Sequence, residues 1–200
     1  KNIKEIRKNS SADRIRNMSN YPYLFCQDRQ PESDYLVFPQ HTTSKRKYIP
    51  IGFMPKDIIV GNACYMVPNI SLYEFGVLTS NVHMAWTKVV CGRLGEGYRY
   101  SPAIYNNFPW CKQTEEQKKK IEKTAQAILN ARALYPNSSL ADLYDELTMP
   151  KELRKAHQEN DKAVMEAYGF NWKKMTESDC VAELMKMYEN LIRDDKNERK

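Results

Sequence analysis

One short pattern in this chain has the spacing of a catalytic motif. Glu116-Gln117-Lys118 has the E-x-K spacing of a metal-dependent nuclease. The pattern lies in a predicted helix-capping turn, however, with neither a preceding strand nor a partner aspartate. A solvated helix start is the better interpretation, and no nuclease site is predicted.

The cysteines and histidines are scattered along the chain. None of the five cysteines forms a C-x-x-C pair, and the three histidines are equally dispersed. Disulfide frameworks and zinc sites need paired or closely spaced ligands, so the sequence predicts neither. Ser/His/Asp or Cys/His sets can be picked from any chain of this size, and without spacing or context they carry no weight. The sequence predicts no catalytic residue and no metal site.

The run Asn107-Phe108-Pro109-Trp110 has the outline of a base-binding motif. Amino-directed DNA methyltransferases use (Asp/Asn/Ser)-Pro-Pro-aromatic to hold the exocyclic amine of a flipped base. Here Phe108 replaces the first proline, and no glycine-rich turn that could cradle S-adenosylmethionine follows a strand. We therefore interpret the run as a structural aromatic loop packed between two modules.

Charge is distributed unevenly along the 200 residues. Residues 1–112 contain 15 Lys/Arg and 8 Asp/Glu, a net +7, whereas residues 113–200 contain 16 and 17, a net −1. The first part also holds most of the glycines, prolines and tyrosines. This division indicates two modules, and the basic one could contact a polyanion. A basic surface that serves only solubility explains the charge about equally well.

The first module is predicted to mix strands and helices. A loosely helical stretch over residues 3–18, interrupted at Ser10-Ser11, comes first. Strand-like runs rich in aromatic and β-branched residues follow at residues 23–25, 35–38, 48–53, 58–60 and 64–67. Ser71 and Glu74 form a capping box that predicts a helix to about residue 80. A second helix over residues 81–91, ended by Gly92, precedes a hairpin over residues 93–101 with Gly95 and Gly97 in its turn.

From residue 113 the apolar period is helical throughout. Thr114 with Gln117 forms another capping box, and the buried stripe that follows is Ile121, Ala125, Ile128 and Leu129. Further helices are predicted to begin at Ser139, Pro150 and Thr176. The first of these runs to Leu143, the second has an inner face of Leu153, His157, Val164 and Tyr168 and stops at Gly169, and the last buries Val181, Leu184, Tyr188 and Leu191. The predicted fold class is α+β, a mixed module followed by a small helical one.

The chain termini and the hydropathy of the sequence indicate whether the chain is a fragment and where in the cell it is located. The chain opens on Lys-Asn-Ile and ends in a polar run, which suggests a fragment of a longer protein. No apolar run approaches the ~18 residues that a membrane helix needs, and the N-terminus does not have the layout of a secretory signal. We expect a cytoplasmic protein without a membrane partner.

Residues 44–53 have the sequence SKRKYIPIGF. This run resembles the S-S-E-x-R-x-Y-I-P-x-G-F segment of MmeI-like DNA methyltransferases, which are single chains that often combine restriction and modification. The resemblance continues at residues 75–80, 83–86, 90–94, 98–101, 105–110, 139–145 and 167–170, and so covers essentially the whole chain. It departs at Lys45, where the family often has Glu, and at Cys111, where Pro is usual.

The resemblance implies that this chain provides three segments of a larger protein, each with its own role. Residues 1–18 would be a linker helix from an upstream catalytic domain, residues 19–112 a target-recognition domain and residues 113–200 a C-terminal helical domain. The parent would methylate adenine N6 in double-stranded DNA with S-adenosylmethionine, whereas this part would hold no cofactor and no catalytic group. Whether the parent also carries a nuclease stays open.

The candidate DNA-binding residues are basic or polar side chains beside predicted strands and turns: Ser44, Lys45, Arg46, Lys47, Lys88, Arg93, Arg99 and Tyr100. The Ser44–Lys47 cluster would contact phosphates, whereas Arg93, Arg99 and Lys88 could pair with guanine. Arg99 alternates with Tyr98 and Tyr100 along one strand. If both tyrosines pack inward, Arg99 points outward.

Each candidate has a structural alternative. Arg46 and Arg93 could brace loops through carbonyl contacts, and Lys88 could be a solvated helix residue. His83, Trp86 and His157 are more often core residues than contacts. At the level of the whole chain, an RNA-binding module or a protein-interaction module stays open. The RNA-binding module would expose stacking aromatics on a sheet face.

Overall fold

The structure, a computed structural model, describes residues 2–25 and 29–198. The helices are α1 (Ile3–Lys8), α2 (Asp13–Asn17), α3 (Leu72–Leu78), α4 (Asn81–Val90), α5 (Pro102–Asn106), α6 (Glu115–Ala133), α7 (Leu140–Leu143), α8 (Lys151–Ala167) and α9 (Glu177–Glu198). The strands are β1 (Tyr35–Pro39), β2 (His41–Thr42), β3 (Gly52–Met54), β4 (Cys64–Pro68), β5 (Gly92–Leu94) and β6 (Gly97–Arg99). In the described part of the chain, strands and helices are mixed before residue 113 and only helices follow, so the predicted α+β class is confirmed.

Residues 1–32 and 33–200 are separate compact units. In the first unit, α1 and α2 are short, and a 3₁₀ turn (Met18–Asn20) follows them. The Arg7 guanidinium donates to the carbonyl oxygens of Met18, Tyr21 and Leu24, which ties the turn back to α1. The strand predicted at residues 23–25 is wrong, because this segment forms turns around Pro22 instead.

The strands of the second unit form two small antiparallel sheets. The first sheet has the order β3-β1-β4, and the second has the order β2-β6-β5. Of the predicted strand at residues 48–53, only the end forms β3, because Ile51 N–H donates to the Ile49 carbonyl in a tight turn after Pro50. The strand predicted at residues 58–60 is also wrong, since that segment is a largely exposed loop outside both sheets.

The helices share one core with the sheets. Ile121, Ala125 and Ile128 of α6 are buried as predicted, against α8 and α3. Gly76 of α3 permits this approach, because a Cβ there would lie 2.6 Å from Ile121 Cγ2. On α9 Leu184 is buried as predicted, whereas Leu191 is 51% exposed because the helix extends past the core.

The predicted helix starts are confirmed, except that Pro150 is the N-cap residue before α8 rather than part of its first turn. Ser71, Thr114 and Ser139 each form a reciprocal capping box, and Thr176 makes the same pair of bonds with Asp179. Gly169 ends α8 with φ +73°, which favours glycine. Gly92 does not cap α4, however. Cys91 is the C-cap residue, and Gly92 begins β5.

Candidate nucleic-acid interface

The β5–β6 hairpin is the candidate recognition element of the second unit. Its turn contains Gly95 at φ +55°, a conformation that favours glycine. Gly97 follows, where a Cβ would lie 2.7 Å from the Thr42 carbonyl oxygen. A glycine at each position therefore lets the hairpin turn tightly and lie close against β2.

One face of this sheet presents Arg99 to solvent. Arg99 on β6 lies directly opposite His41 on β2 and Gly92 on β5. Directly paired residues project from the same face, so the three form one row. Arg99 and His41 are both exposed, and Gly92 contributes no side chain that would crowd them. The predicted outward direction of Arg99 is therefore confirmed.

The opposite face holds the hairpin to the core. Tyr98 pairs with Thr42 and Arg93, and the Arg93 guanidinium lies over the Tyr98 ring at 4.4 Å from its centroid. Tyr98 and Tyr100 are buried as expected, at 6% and 3% exposed. Arg93 is exposed but stacked, so it braces the hairpin while its edge faces solvent.

Tyr100 supports the hairpin from inside. Its ring stacks on Phe38 at 5.1 Å, and its hydroxyl lies 3.1 Å from His83 Nε2. His83 is fully buried, and its Nδ1 lies 2.8 Å from the Leu78 carbonyl oxygen, which can only accept a hydrogen bond. Nδ1 therefore carries the proton, and Nε2 accepts from Tyr100. Burial lowers the pKa of His83 to about 4, so the ring is neutral at physiological pH. The interpretation of His83 as a core residue is confirmed.

The loop after β2 carries the basic cluster Ser44, Lys45, Arg46 and Lys47. Lys45 and Lys47 are exposed, and Ser44 is half-buried. Arg46 instead turns towards the helices, where its guanidinium donates to the Ala141 carbonyl at 3.4 Å. The two lysines are thus exposed, and the Lys47 ammonium group also lies 5.5 Å from the centroid of the Tyr48 ring. Arg46 braces the loop against α7.

Lys88 lies at the end of α4 and is held by an ion pair. Its Nζ lies 2.7 Å from a Glu177 carboxylate oxygen at the start of α9. The lysine side chain is 28% exposed. Such surface pairs contribute little to stability, but this contact directs the ammonium group towards α9.

A buried polar cluster underlies the basic loop. Asp161 on α8 accepts the Tyr48 hydroxyl at 2.7 Å and the Asn81 backbone N–H at 2.8 Å. Burial raises the pKa of Asp161 to about 6, against the opposing effect of these two hydrogen bonds. His157 stacks on Tyr48 at 4.1 Å, and its Nε2 lies 2.7 Å from the Tyr144 hydroxyl. Burial lowers the pKa of His157 well below the usual value.

Arg132 of α6 completes this cluster. It donates through Nε to the Tyr144 hydroxyl at 2.9 Å and through a terminal nitrogen to the Ile51 carbonyl at 2.9 Å. The helices after residue 113 therefore hold both ends of the segment from Tyr48 to Ile51.

The aromatic loop has a structural role, as predicted. Phe108 is 2% exposed and packs edge-on against His83, Trp86 and Trp110. The hydroxyl of Tyr168, the residue that follows α8, donates to the Pro109 carbonyl at 3.1 Å. Phe108 is therefore part of the core rather than an exposed residue that could contact a flipped base.

Several predicted features concern metals, thiols and membranes. Cys64, Cys91, Cys111 and Cys180 are free thiols, whereas Cys26 lies outside the described residues. Among the described residues, no group of His, Cys, Asp and Glu has a metal-binding arrangement. None of the described helices is both long enough and apolar enough to cross a bilayer.

Sequence reasoning missed two residues of this region. His41 joins Arg99 only through the pairing of β2 with β6, and a strand of two residues leaves no periodic signal. The partners of Asp161 are Asn81, which lies 80 positions away in the chain, and Tyr48, which lies 113 positions away. No local sequence pattern reveals contacts over such separations. A charged residue on the inner face of an otherwise amphipathic helix was the available signal for Asp161.

The fold and the site define a binding module of the α+β class, with a basic hairpin and loop held by helices. The family described as "MmeI, target recognition domain" matches residues 1–112, and "MmeI, C-terminal domain" matches residues 113–194. The chain belongs to the MmeI family and comprises its target recognition and C-terminal domains.

Two relatives show how much of a longer protein this chain represents. DNA methyltransferase A of Bacillus subtilis (strain 168) is 34% identical over 191 residues, which are 94% of this chain and 21% of that protein. The solved structure of the Type IIL restriction-modification enzyme MmeI in complex with DNA is 44% identical with a TM-score of 0.86. That match covers 95% of this chain and 25% of the MmeI chain. The chain therefore spans about a fifth of the length of the methyltransferase and a quarter of the length of the MmeI chain.

Proposed function

We propose that this chain is the duplex-DNA target-recognition part of a larger adenine-N6 DNA methyltransferase that uses S-adenosylmethionine. The observation that carries the proposal is the exposed row of Arg99 and His41, together with the exposed lysines Lys45 and Lys47 in the loop that follows β2. A solved relative with the same fold is in complex with DNA. In this proposal, residues 1–18 link to an upstream catalytic domain, residues 19–112 contact DNA and residues 113–200 support them.

The site residues divide by what their side chains can reach. We assign Lys45 and Lys47 to phosphates and Arg99 to a base edge, because all three are exposed. Arg93 can offer the free edge of its stacked guanidinium. Arg46, Lys88 and Tyr100 are held by Ala141, Glu177 and His83 respectively, so they act as supports.

An RNA-binding function is less well supported. RNA-binding sheets present several aromatic rings to unstacked bases, whereas Tyr35, Phe38 and Tyr98 on these strands are buried. Tyr65 on β4 is half-buried and Phe53 on β3 is 36% exposed, so a single phenylalanine or tyrosine ring on these strands is exposed. Competition between duplex DNA and single-stranded RNA for the purified chain tests this point. Preferential loss of bound DNA to the RNA competitor would contradict the proposal.

Arg99→Ala and Lys45→Ala should have different consequences for DNA binding. Losing a base-reading arginine should relax specificity at one base pair by about 1–3 kcal/mol. Losing a phosphate lysine should weaken binding to all sequences alike and reduce the salt slope by about one. Both effects are measured by duplex titrations over a range of salt concentrations and by methylome sequencing of cells that express the full-length variants.

Lys186→Ala is the matched control for these two variants, because it removes a positive charge from the exposed surface of α9. It should leave both the salt slope and the preferred sequence unchanged. If Arg99→Ala keeps the wild-type motif and loses only activity, the arginine is structural and the base contacts lie elsewhere.

The chain by itself should transfer no methyl group. All described strands pair antiparallel, and the glycines of the β5–β6 hairpin form a strand-to-strand turn rather than a strand-to-helix cradle. These residues do not fit S-adenosylmethionine, and we assign the cofactor to the upstream domain of the parent. Incubation with radiolabelled S-adenosylmethionine and genomic DNA should give background incorporation, with the full-length parent as the positive control. Incorporation above background would overturn this assignment.

A further inference from the structure

Asp161 lies between the end of the basic loop, at Tyr48, and the start of α4, the helix that leads into the β5–β6 hairpin. It is 7% exposed, and its two carboxylate oxygens have different partners. Oδ2 accepts the Tyr48 hydroxyl, and Oδ1 accepts the backbone N–H of Asn81. Both hydrogen bonds are charge-assisted when the carboxylate is ionised, which makes them stronger than bonds between neutral groups.

The first partner anchors the basic loop. Tyr48 directly follows Lys47 in the chain and is 2% exposed. Its ring stacks on His157 of α8, so the hydroxyl bond to Asp161 fixes how deeply the ring enters the core. The position of Tyr48 therefore determines where Lys45 and Lys47 leave the surface.

The second partner anchors the hairpin. Asn81 is the first residue of α4, and the Asp161 carboxylate accepts one of the free N–H groups at this helix start. The C-terminal end of α4 leads through Cys91 into β5, and His83 of α4 holds Tyr100 beyond β6. A shift of α4 therefore moves the whole β5–β6 hairpin.

We propose that Asp161 is a positioning residue for DNA recognition, whose two oxygens hold the phosphate-contacting loop and the base-contacting hairpin in one fixed relation. The inference rests on the proposed function. Phosphate contacts set the register of a protein on the duplex, and base contacts read sequence only within that register. A single carboxylate that is bonded to Tyr48 of the loop and to Asn81 of the helix before the hairpin couples the two kinds of contact.

Two substitutions remove the two hydrogen bonds of Asp161 one at a time. Tyr48→Phe removes the bond to the loop and keeps the ring. Asn81→Pro removes the N–H that reaches Asp161, and proline is tolerated at the first position of a helix. Ser80 before it is already extended, at φ −89° and ψ 166°, as a residue before proline requires.

Each of these two substitutions has a matched control. Asn81→Ala removes the Asn81 side chain but retains the backbone N–H. Tyr168→Phe removes a part-buried tyrosine hydroxyl bond, to the Pro109 carbonyl, that involves neither the basic loop nor the hairpin. At Asp161 itself, asparagine can still accept the Asn81 N–H and donate to the Tyr48 oxygen, whereas alanine can do neither.

The measurement compares two duplexes bound by the purified chain. One is selected by the wild-type chain from a randomised pool, and the other has random sequence. Tyr48→Phe should weaken binding to both about three- to tenfold and flatten the salt slope, whereas Asn81→Pro should reduce the ratio of the two affinities about three- to tenfold. Asp161→Ala should have both effects. Asp161→Asn should retain most of the wild-type affinity and most of the wild-type affinity ratio, and the control variants should match wild type.

The outcomes distinguish the inference from the function on which it rests. If the wild-type chain selects no duplex, the proposed DNA-recognition function fails. If it selects one, but Tyr48→Phe and Asn81→Pro retain wild-type affinity ratios and salt slopes, Asp161 is merely structural and the inference is overturned. These two variants keep the test decisive even if Asp161→Ala does not fold.

Discussion

Gly76→Ala is expected to lower the free energy of unfolding by about 1–3 kcal/mol, because the added methyl overpacks the junction of three helices. A Cβ at this position would lie 2.6 Å from Ile121 Cγ2, 3.1 Å from Ala125 Cβ and 3.2 Å from Asn160 Oδ1. Alanine is the better helix former by about 1 kcal/mol, but the clash is larger than this gain. Urea unfolding followed by circular dichroism measures the difference.

The hydrogen bonds at this junction add to the expected loss. Asn160 Nδ2 donates to the Gly76 carbonyl at 2.7 Å, and the Thr124 hydroxyl donates to Asn160 Oδ1 at 2.9 Å. A methyl that separates α3 from α8 stretches both bonds in a buried site, where unsatisfied polar groups are costly. Gly61→Ala is the control, since nothing lies within 4 Å of the position that its methyl would occupy. Equal stability of the two variants would contradict the packing argument.

The helices could be predicted from the sequence because their signals are local. A capping box occupies four consecutive residues, and an apolar stripe repeats within one or two turns. The starts at Ser71, Thr114 and Ser139 are therefore predicted correctly. The strands are harder to predict, because aromatic and β-branched residues also fill cores without pairing. Tyr48, Ile49 and Ile51 show this, since all three are buried and none belongs to a strand.

The candidate site could be predicted only in part, for a related reason. The outward direction of Arg99 follows from alternation along one strand, and the structure confirms it. The partners of Arg46 and Lys88 lie 95 and 89 positions away, so the sequence could not show that these cations are already engaged. Basic residues in a sequence thus identify a charged module, whereas tertiary contacts decide which charges are available to a ligand.

Acid should destabilise the chain already between pH 6 and pH 5, where the buried histidines determine the trend. The pKa of His83 is lowered by burial to about 4, and that of His157 is also lowered. Below pH 6.5 the unfolded chain binds protons at these residues and the folded chain does not. Their contribution to stability is therefore present above about pH 6.5 and is lost as pH falls, by up to about 1.4 kcal/mol per pH unit for each histidine.

Asp161 acts in the opposite direction over the same range. Burial raises the pKa of this carboxyl to about 6, so the folded chain binds a proton there before the unfolded chain does, and stability rises as pH falls from 6 towards 4. Because two buried histidines act against one buried aspartate, the wild-type chain should lose stability between pH 6 and pH 5. Asp161→Asn should make this loss steeper, and His83→Asn should make it shallower. Urea unfolding at several pH values measures the slopes, which are independent of how far each substitution lowers stability at neutral pH. A shallower slope for Asp161→Asn than for the wild-type chain would show that the carboxylate is already ionised in the folded state at pH 5, contrary to its buried position.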